Sequence, residues 1–395
     1  MLGPLFLQQA PVEIVRLMQR LQEWTIREIV RRITDSGVVT STAEYQLTLL
    51  MEQDVFDVDF KKEIQRILNL SDIEINKLFN EAANANYIYD RRAFQARGIP
   101  FVPFEQNYFV RQMARGIIEN TQGSMVNITR SMGFSVRTPQ GIQFRPIAQF
   151  YQSELDSAIV KVASGVQTFE EAIKEAVVRM SDSGLRTVDY ESGHVDRIDV
   201  AARRAVMGGM RDLTNRQSEF NAEIMESTVF EISWHGGHRP SHAWGGRRFE
   251  IEGILYPTED ELYKKFPSPE GIVGALEDYN CYHEKYAVFS DSPPTYSDEE
   301  LDRMEREEKK KKRFEGKEYD AYEARQQQRY LERCMRKQKS VIAGFEGAKD
   351  GGADVDKELR NARLKMGMLR QKYGAFSDAM GIPKEMERVV TGLVA

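Results

Sequence analysis

The sequence predicts an α+β protein that is predominantly α-helical, with a helical N-terminal region, a small central α/β unit and a long C-terminal helical hairpin. Three observations predict this class. Apolar residues recur at helical spacing in the first half of the chain, a segment near residue 230 alternates as strands do, and the sequence beyond Pro293 is charge-dense and helical in pattern. A chain of 395 residues is long enough for two or three domains, and we predict domains at 1–180, 181–295 and 296–395.

The N-terminal region owes its helical prediction to apolar periodicity and to start signals. Between Val12 and Ile33, apolar side chains return every three or four residues, which predicts an amphipathic helix. Glycine and two prolines at 98–103 should interrupt the helical pattern. In a capping box, a Ser or Thr side chain and a Glu three residues later satisfy the free amides at a helix start. Four pairs fit this pattern: Ser71 with Glu74, Thr168 with Glu171, Thr258 with Glu261, and Ser297 with Glu300.

The central unit begins where the Thr168 helix should end, at Gly184. A β-prone run at 185–190 is followed by a helix predicted from Ile198 to about Met225. Alternation at 229–234 and a second β-prone stretch at 249–251 predict two strands. Together these segments indicate a small α/β unit.

The C-terminal region is predicted to be a helical hairpin. One helix should run from about Asp298 to Ser340, and a second from about Val355 to Tyr373. A glycine-rich stretch at 344–352 is predicted to break the chain between them. Antiparallel packing of the two helices would complete the hairpin.

Composition excludes several classes of protein. No run of 18 consecutive apolar residues occurs, so we expect no integral membrane segment. Only two cysteines, Cys281 and Cys334, argue against a disulfide framework and for synthesis in a reducing compartment. The net charge of −6 is unlike that of a general nucleic-acid binder, although the basic run from Lys309 to Arg313 is a local candidate for DNA contact.

The most unusual feature is a cluster of histidines and a cysteine. Four of the five histidines fall within 49 residues that also contain Cys281. Imidazole nitrogens and a thiolate are ligands that zinc prefers, so His235, His242, Cys281 and His283 are candidate zinc ligands. Their spacing matches no standard zinc module, and our favoured interpretation is a polar loop cluster without a cofactor, in which histidines hydrogen-bond backbone carbonyls.

Signatures of common enzymes are missing from the sequence. It contains no Walker-type phosphate loop and no Gly-x-Ser-x-Gly elbow. Cys281 and His283 could form a nucleophile and base, and Arg203 and Arg204 could bind phosphate, although a solvated helix face explains the arginines more simply. We therefore expect no catalytic residues and no enzyme; the open alternative is a metal-dependent hydrolase or nuclease that uses the His/Cys cluster.

Two short segments of the chain form a recognisable pair. The first is a loop with His235, Arg239, Pro240, Ser241, His242, Trp244 and Gly245, and the second contains Asn280, Cys281 and His283. These segments resemble the signatures of the phage minor capsid protein 2 family, a MuF-like group of head-morphogenesis proteins. Further similarity at 164–168, 190–204, 322–337 and 373–388 extends the resemblance over nearly the whole chain. On this resemblance the central unit is MuF-like.

The resemblance implies a low-copy component of the virion that is made in the bacterial cytoplasm. Such proteins are associated with the portal or the inner capsid, and assist head assembly and DNA packaging or delivery. The implied partners are the portal protein, the major capsid protein, or both, with packaged DNA as a further candidate. A protein that chiefly binds DNA remains an alternative.

The residues themselves add a hypothesis about attachment. Aromatic side chains beside arginines are the mixture that protein interfaces favour. The C-terminal hairpin offers this mixture at Tyr319, Tyr322, Arg329, Tyr330 and Arg333, which we predict to bind a partner.

Overall fold

The computed structural model describes residues 4–36, 42–89, 91–164, 166–189, 192–276 and 281–389. The fold is predominantly helical with small antiparallel sheets, which confirms the predicted class. Within the described ranges, no helix combines the length and the apolar character needed to cross a bilayer.

The helices account for most of the described residues. They are α1 (Pro4–Gln9), α2 (Val12–Ser36), α3 (Thr42–Tyr89), α4 (Arg91–Ala96), α5 (Tyr108–Arg130), α6 (Ile147–Ala163), α7 (Phe169–Ser183), α8 (Ile198–Met225), α9 (Glu259–Lys265), α10 (Asp298–Glu308), α11 (Ala321–Asp350) and α12 (Asp356–Met380).

The strands form three sheets, all with antiparallel neighbours. The strands are β1 (Met132–Thr138), β2 (Gly141–Pro146), β3 (Arg186–Val188), β4 (Val195–Arg197), β5 (Val229–Ile232), β6 (Arg248–Glu250), β7 (Lys285–Val288), β8 (Lys312–Phe314) and β9 (Lys317–Tyr319). The first sheet has the order β2-β1-β3-β4, the second β6-β5-β7, and the third is the pair β8-β9.

Several predicted elements are confirmed. Helix α2 covers the predicted amphipathic segment, and α8 has the predicted bounds. Helix α7 begins at a complete capping box at Thr168 and ends at Gly184, whose φ of 64° suits a residue without a side chain. The capping boxes at Thr258 and Ser297 also start helices.

One prediction for the N-terminal region was wrong. Ser71 does not start a helix, because it lies buried inside α3. The apolar residues Ile67, Ile75 and Phe79 continue one stripe through that point, so their burial sustains the helix across the capping sequence. The region is mostly helical, as predicted, and it also contains the hairpin β1–β2, for which no strands were predicted from the sequence.

The prediction of one continuous helix from Asp298 to Ser340 was also wrong. It is divided into α10 and α11 by the hairpin β8–β9. Glu315 and Gly316 form the turn with φ of 46° and 82°, the positive values that a tight two-residue hairpin requires. A fifth start signal, Asp320 with Glu323, forms a complete capping box for α11. The antiparallel pair α11–α12 nevertheless forms the expected helical hairpin.

The predicted glycine-rich break begins later than expected, since α11 continues to Asp350. Gly347 lies where α11 crosses α2, and a Cβ there would come 2.2 Å from the carbonyl oxygen of Arg27. A Cβ on Gly344 would come 2.8 Å from Cγ1 of Val177 on α7. These glycines permit close helix packing and do not end the helix.

Three apolar cores hold the described residues together. The first combines α2, α3, α5, α6, α7 and α8 with Phe345, Ala348 and Leu359 from the C-terminal hairpin. The second lies around the sheet β6-β5-β7, and the third lies between α11, α12 and the hairpin β8–β9. The division into domains at 1–180, 181–295 and 296–395 stays a prediction. The first core contains residues from both 1–180 and 296–395, so these two segments pack together.

Candidate His/Cys site and arginine-lined cavity

The sheet β6-β5-β7 brings the two signature segments together. Strands β5 and β7 are antiparallel neighbours in which Ile232 pairs with Lys285. The chain that leaves β5 and the chain that enters β7 therefore lie at the same end of the sheet, and the backbone N–H of Ser233 donates to the Glu284 carbonyl at 2.8 Å. This register places His235 beside His283, although 48 residues separate them in sequence.

Three of the four candidate metal ligands converge. The donor atoms of His242, Cys281 and His283 all lie within 4.8 Å of one another, and all three residues are buried. The Cys281 Sγ is 3.4 Å from the His283 Nδ1. His235 is not part of this group, but its ring centroid is 4.3 Å from that of His283. Asn280 lies outside the described residues.

The rest of the signature loop positions these side chains. Pro240, Ser241 and His242 form one 3-10 turn with the proline at its start, which presents His242 inward. Trp244 is fully buried; its ring stacks on His242 at 4.9 Å and lies 4.7 Å from the ring of His283. The Trp244 indole N–H donates to the Gly274 carbonyl at 3.0 Å. Gly245 leaves room for the imidazole, because a Cβ there would be 2.7 Å from the His283 Nε2.

Burial sets the protonation of the histidines. It lowers the pKa of His235 to about 4, and burial together with three neighbouring histidines lowers the pKa of His283 well below its usual value. Burial also opposes the charged form of His238, but its 2.7 Å contact with Glu305 outweighs burial and raises the pKa of His238 from its usual value. His235 and His283 are therefore neutral at pH 7 with a nitrogen lone pair to donate, whereas His238 is engaged by a carboxylate.

A cavity of about 410 Å³ lies next to the histidines and is lined largely by arginines. One face of α11 forms a wall of it, because residues spaced by three or four positions project to the same side of a helix. Two carboxylates, Asp199 and Glu332, lie among the arginines. The α11 wall consists of Tyr322, Gln326, Arg329, Arg333 and Arg336, and Arg203, Arg239 and Arg388 line the cavity from other segments.

Tyr282 lies where these arginines meet. The Arg203 Nη2 donates to the Tyr282 hydroxyl at 2.5 Å, and the Arg329 Nη2 lies 3.5 Å from the same oxygen. Burial opposes ionisation of the phenol, but the positive charges of Arg203, Arg329 and Arg388 outweigh it and lower the pKa of Tyr282. The cavity is therefore electropositive and favours anionic groups.

A buried ion pair fixes the sheet that carries the site. The Arg248 Nε on β6 donates to Glu231 on β5 at 2.7 Å, and both side chains are almost fully buried. The Tyr286 hydroxyl on β7 donates to the other Glu231 oxygen at 2.6 Å. Arg248 also donates to the carbonyls of Ser292 and Pro293 at 2.7 and 2.8 Å. One network thus joins three strands to the segment that leads into α10.

The predicted partner-binding residues do not share one exposed surface. Tyr322, Arg329 and Arg333 line the arginine cavity. Tyr319 packs edge-on against Phe376 with ring centroids 5.3 Å apart, and Tyr330 is 51% exposed. Their role in binding a partner stays a prediction.

Sequence reasoning missed several residues of the site. Arg388, Arg336 and Tyr282 line the cavity, yet none of them is among the site residues predicted from the sequence, although Tyr282 lies between two signature residues and Arg336 lies in the family-like segment 322–337. A signal did exist for part of this set, because Tyr322, Gln326, Arg329, Arg333 and Arg336 form a polar stripe along one helical face. Helix α11 packs against α2 and α7 and against α12, so a continuous row of polar side chains along it is unexpected and indicates a polar cavity.

Comparisons with known proteins bear on the whole chain. Searches of curated proteins and of solved structures find no significant match. The family model described as "Phage minor capsid protein 2" matches residues 2–376, nearly the full length of the sequence. The signature loop and the Cys281 segment, which carried the resemblance, both lie inside the matched range. The chain therefore belongs to the phage minor capsid protein 2 family and is a minor capsid protein of the phage virion.

Proposed function

We propose that this minor capsid protein attaches in few copies to the portal or to the inner surface of the capsid, and there assists head assembly and DNA packaging or delivery. Family membership supports a place in the virion. The observation that supports attachment is an exposed face of α12. That face points away from α11 and carries two large apolar side chains, Leu364 and Met368, which are 63% and 71% exposed.

The exposed α12 face has the shape and chemistry of a docking site. Arg360, Leu364 and Met368 are spaced four residues apart and form one row along the helix, beside a shallow groove of about 670 Å³. Apolar anchors surrounded by arginine are typical of the residues that dominate protein interfaces. This face lies on the second helix of the C-terminal hairpin, the region in which the sequence predicts partner-binding residues.

Charge indicates what kind of surface docks there. Helix α12 contains six basic and three acidic residues and so carries a net charge of +3, whereas the whole chain carries −6. Such segregation favours an acidic surface on the partner, because complementary charges steer association. We propose the portal protein as the partner and make the major capsid protein the alternative outcome of the test.

The test is incorporation of the protein into particles. Replacing Leu364→Glu and Met368→Glu together should lower the copies per purified head by about tenfold, since loss of about 1.4 kcal/mol of binding already gives that factor. Quantitative mass spectrometry of purified heads measures the copies, and cross-linking of intact heads identifies the neighbour.

The matched control is Ile73→Glu, an equally exposed apolar position on α3 at 61% exposure. Its incorporation should equal that of the wild-type protein. Wild-type incorporation of the double variant would contradict docking through α12, and cross-links to the major capsid protein alone would replace the portal as the partner.

Contact with packaged DNA is a second candidate, favoured by the position of the basic run. The hairpin β8–β9 contacts α12, and the Lys312 Nζ donates to the Met380 carbonyl at 2.6 Å, so the exposed residues Lys311 and Arg313 adjoin the basic helix. Binding through phosphates should weaken steeply as salt is raised. Absent or salt-insensitive binding of duplex DNA to the purified protein would remove this candidate.

We further propose that the protein acts by binding and not by turnover. Family membership and the lack of common catalytic motifs in the sequence support this view. The rival is a metal-dependent hydrolase at the His/Cys site. Multiple turnover of a phosphodiester or peptide substrate that disappears in His242→Asn, with the fold retained, would establish the rival in place of our proposal.

A further inference from the structure

We propose that His242, Cys281 and His283 bind one zinc ion. The sulfur atom and one imidazole nitrogen from each histidine already lie within 4.8 Å of one another. A thiolate and two imidazoles are a common partial ligand set for tetrahedral zinc, and the same set disfavours magnesium and calcium, which prefer oxygen ligands. The inference does not depend on docking through α12.

The surroundings of the three residues have the features of a metal site. All three side chains are buried, so a bound ion would be shielded from competing water. The His283 Nε2 has no hydrogen-bond partner within the part of the chain that the structure describes. A buried ring nitrogen without a partner is costly in a purely structural histidine, and a zinc ion bound at the His283 Nε2 would give that nitrogen a partner.

Neighbouring groups hold the ligands in one geometry. The Trp244 ring lies against both imidazoles, and its indole N–H is anchored to the Gly274 carbonyl. A Cβ on Gly274 would come 2.6 Å from the His242 Cδ2, so this position also keeps space for the ring. Constraint of the ligands by the residues around them is what metal sites use to gain affinity.

The arginine-lined cavity gives the ion a route and a fourth ligand. His242 and Cys281 both line that cavity, so the site is open to it on one side. Three protein ligands leave one position of a tetrahedral zinc for a water molecule or for an anionic group held by the arginines. The loop after β5 and the segment before β7 would thereby be joined through the ion.

The test measures metal in the full-length protein. Protein purified without chelator should contain about one zinc per chain by elemental mass spectrometry. Replacing zinc by cobalt should give a thiolate-to-cobalt charge-transfer band, which reports a cysteine ligand directly. Cys281→Ser should abolish the band and weaken zinc binding by at least about 100-fold, because even the residues around a ligand contribute 10–100-fold.

The controls are the other cysteine and an exposed histidine. Cys334→Ser and His194→Ala lie outside the cluster and should retain both the zinc and the cobalt band. Wild-type protein without stoichiometric zinc and without the cobalt band would overturn the proposal, as would a Cys281→Ser variant that binds zinc as the wild type does. If Cys281→Ser fails to fold, the cobalt spectrum of the wild-type protein decides alone.

Discussion

At the scale of single residues, the sheet that carries the site depends on buried polar side chains that hydrogen-bond to one another. Glu231 accepts from Arg248 and from Tyr286, and its carboxylate also accepts the backbone N–H of Thr295 at 3.1 Å. Removing one member of such a network leaves a buried charge without compensation, which costs more than the net stabilisation by the intact pair.

Glu231→Gln should therefore lower the free energy of unfolding by about 3–5 kcal/mol. The control is Glu219→Gln, whose carboxylate is 55% exposed and pairs with Lys285 at 3.0 Å; its effect should stay below about 1 kcal/mol. Urea denaturation of the two variants gives both values. Equal effects would mean that the buried network is no more important than a surface ion pair.

The residues of the candidate site could be predicted only in part. The sequence indicates a His/Cys cluster because four histidines and Cys281 lie close together in it. It cannot tell that His242 joins Cys281 and His283 while His238 turns to Glu305, since that choice depends on where α10 packs. Arg388 was beyond prediction, because its place in the cavity is a long-range contact without a local pattern.

At the scale of elements, adjacent glycines in α8 have opposite roles. A Cβ on Gly209 would come 2.4 Å from the Thr121 Oγ1 and 3.0 Å from the Phe79 ring, where α8 crosses α5 and α3. A Cβ on Gly208 would meet no atom within 4 Å among the described residues. Glycine is therefore needed for packing at one position and only weakens the helix at the other.

Gly208→Ala should raise the free energy of unfolding by about 0.5–1 kcal/mol, through loss of backbone freedom in the unfolded chain. Gly209→Ala should lower it by about 1–3 kcal/mol, because the methyl group forces α8 away from its neighbours. Thermal unfolding of the two variants is the measurement, and each serves as the control of the other. Shifts of the same sign would contradict this account of the helix crossing.

The contact between α11, α2 and α12 contains a second testable residue. Burial lowers the pKa of Lys339 to about 8; the charge of Glu23 opposes this shift, and Arg370, Arg16 and Arg336 add repulsion. The folded state therefore disfavours the charged amine. Above the unfolded pKa of 10.5 the amine is neutral in both states and Lys339 causes no loss of stability. As pH falls from 10.5 through about 8, the free energy of unfolding decreases, because the unfolded chain binds the proton more readily than the folded protein.

Lys339→Met should consequently stabilise the protein at pH 7, by about 1–2 kcal/mol after allowance for partial exposure. The gain should shrink as pH rises from 8 toward 10.5. Lys365→Met, at an exposed position of α12, is the control, and its effect on stability at pH 7 should stay within about 0.5 kcal/mol. Urea unfolding at several pH values measures the effect. A stabilisation by Lys339→Met that grows as pH rises would contradict the prediction.

Most elements could be predicted where a local signal and a long apolar stripe agree, as in α2 and α7. The failures have physical causes. The capping sequence at Ser71 was overridden by burial of the stripe around it. The hairpin β8–β9 was missed because its two strands have three residues each, and its stability comes from the packing of Phe314 and Tyr319 on Phe376.

At the scale of the whole molecule, α11 connects regions that the sequence assigns to separate domains. It packs against α2 and α7 on one side and against α12 on the other. Phe345 and Ala348 near its C-terminal end belong to the first core, whereas Leu331 and Met335 belong to the third. The free energy of the N-terminal helices should therefore depend on the C-terminal hairpin.

A chain of residues 1–295 should consequently lack native packing. Loss of α11 and α12 exposes the first core along α2 and α7, and exposed apolar surface of that extent leads to aggregation or to a loosely packed state. Near-ultraviolet circular dichroism and gel filtration measure this, and co-expression of residues 296–395 should restore the native signal. A shorter chain that unfolds cooperatively by itself would support independent domains.

The arginine-lined cavity brings together residues that are synthesised at widely separated times. Its walls include Val12 near one end of the described chain and Arg388 near the other. Domains form as they leave the ribosome, N-terminal parts first, so the enclosure around Tyr282 closes only after Arg388 has emerged. A nascent chain that ends before Arg388 therefore displays an open, basic surface that the folded protein conceals.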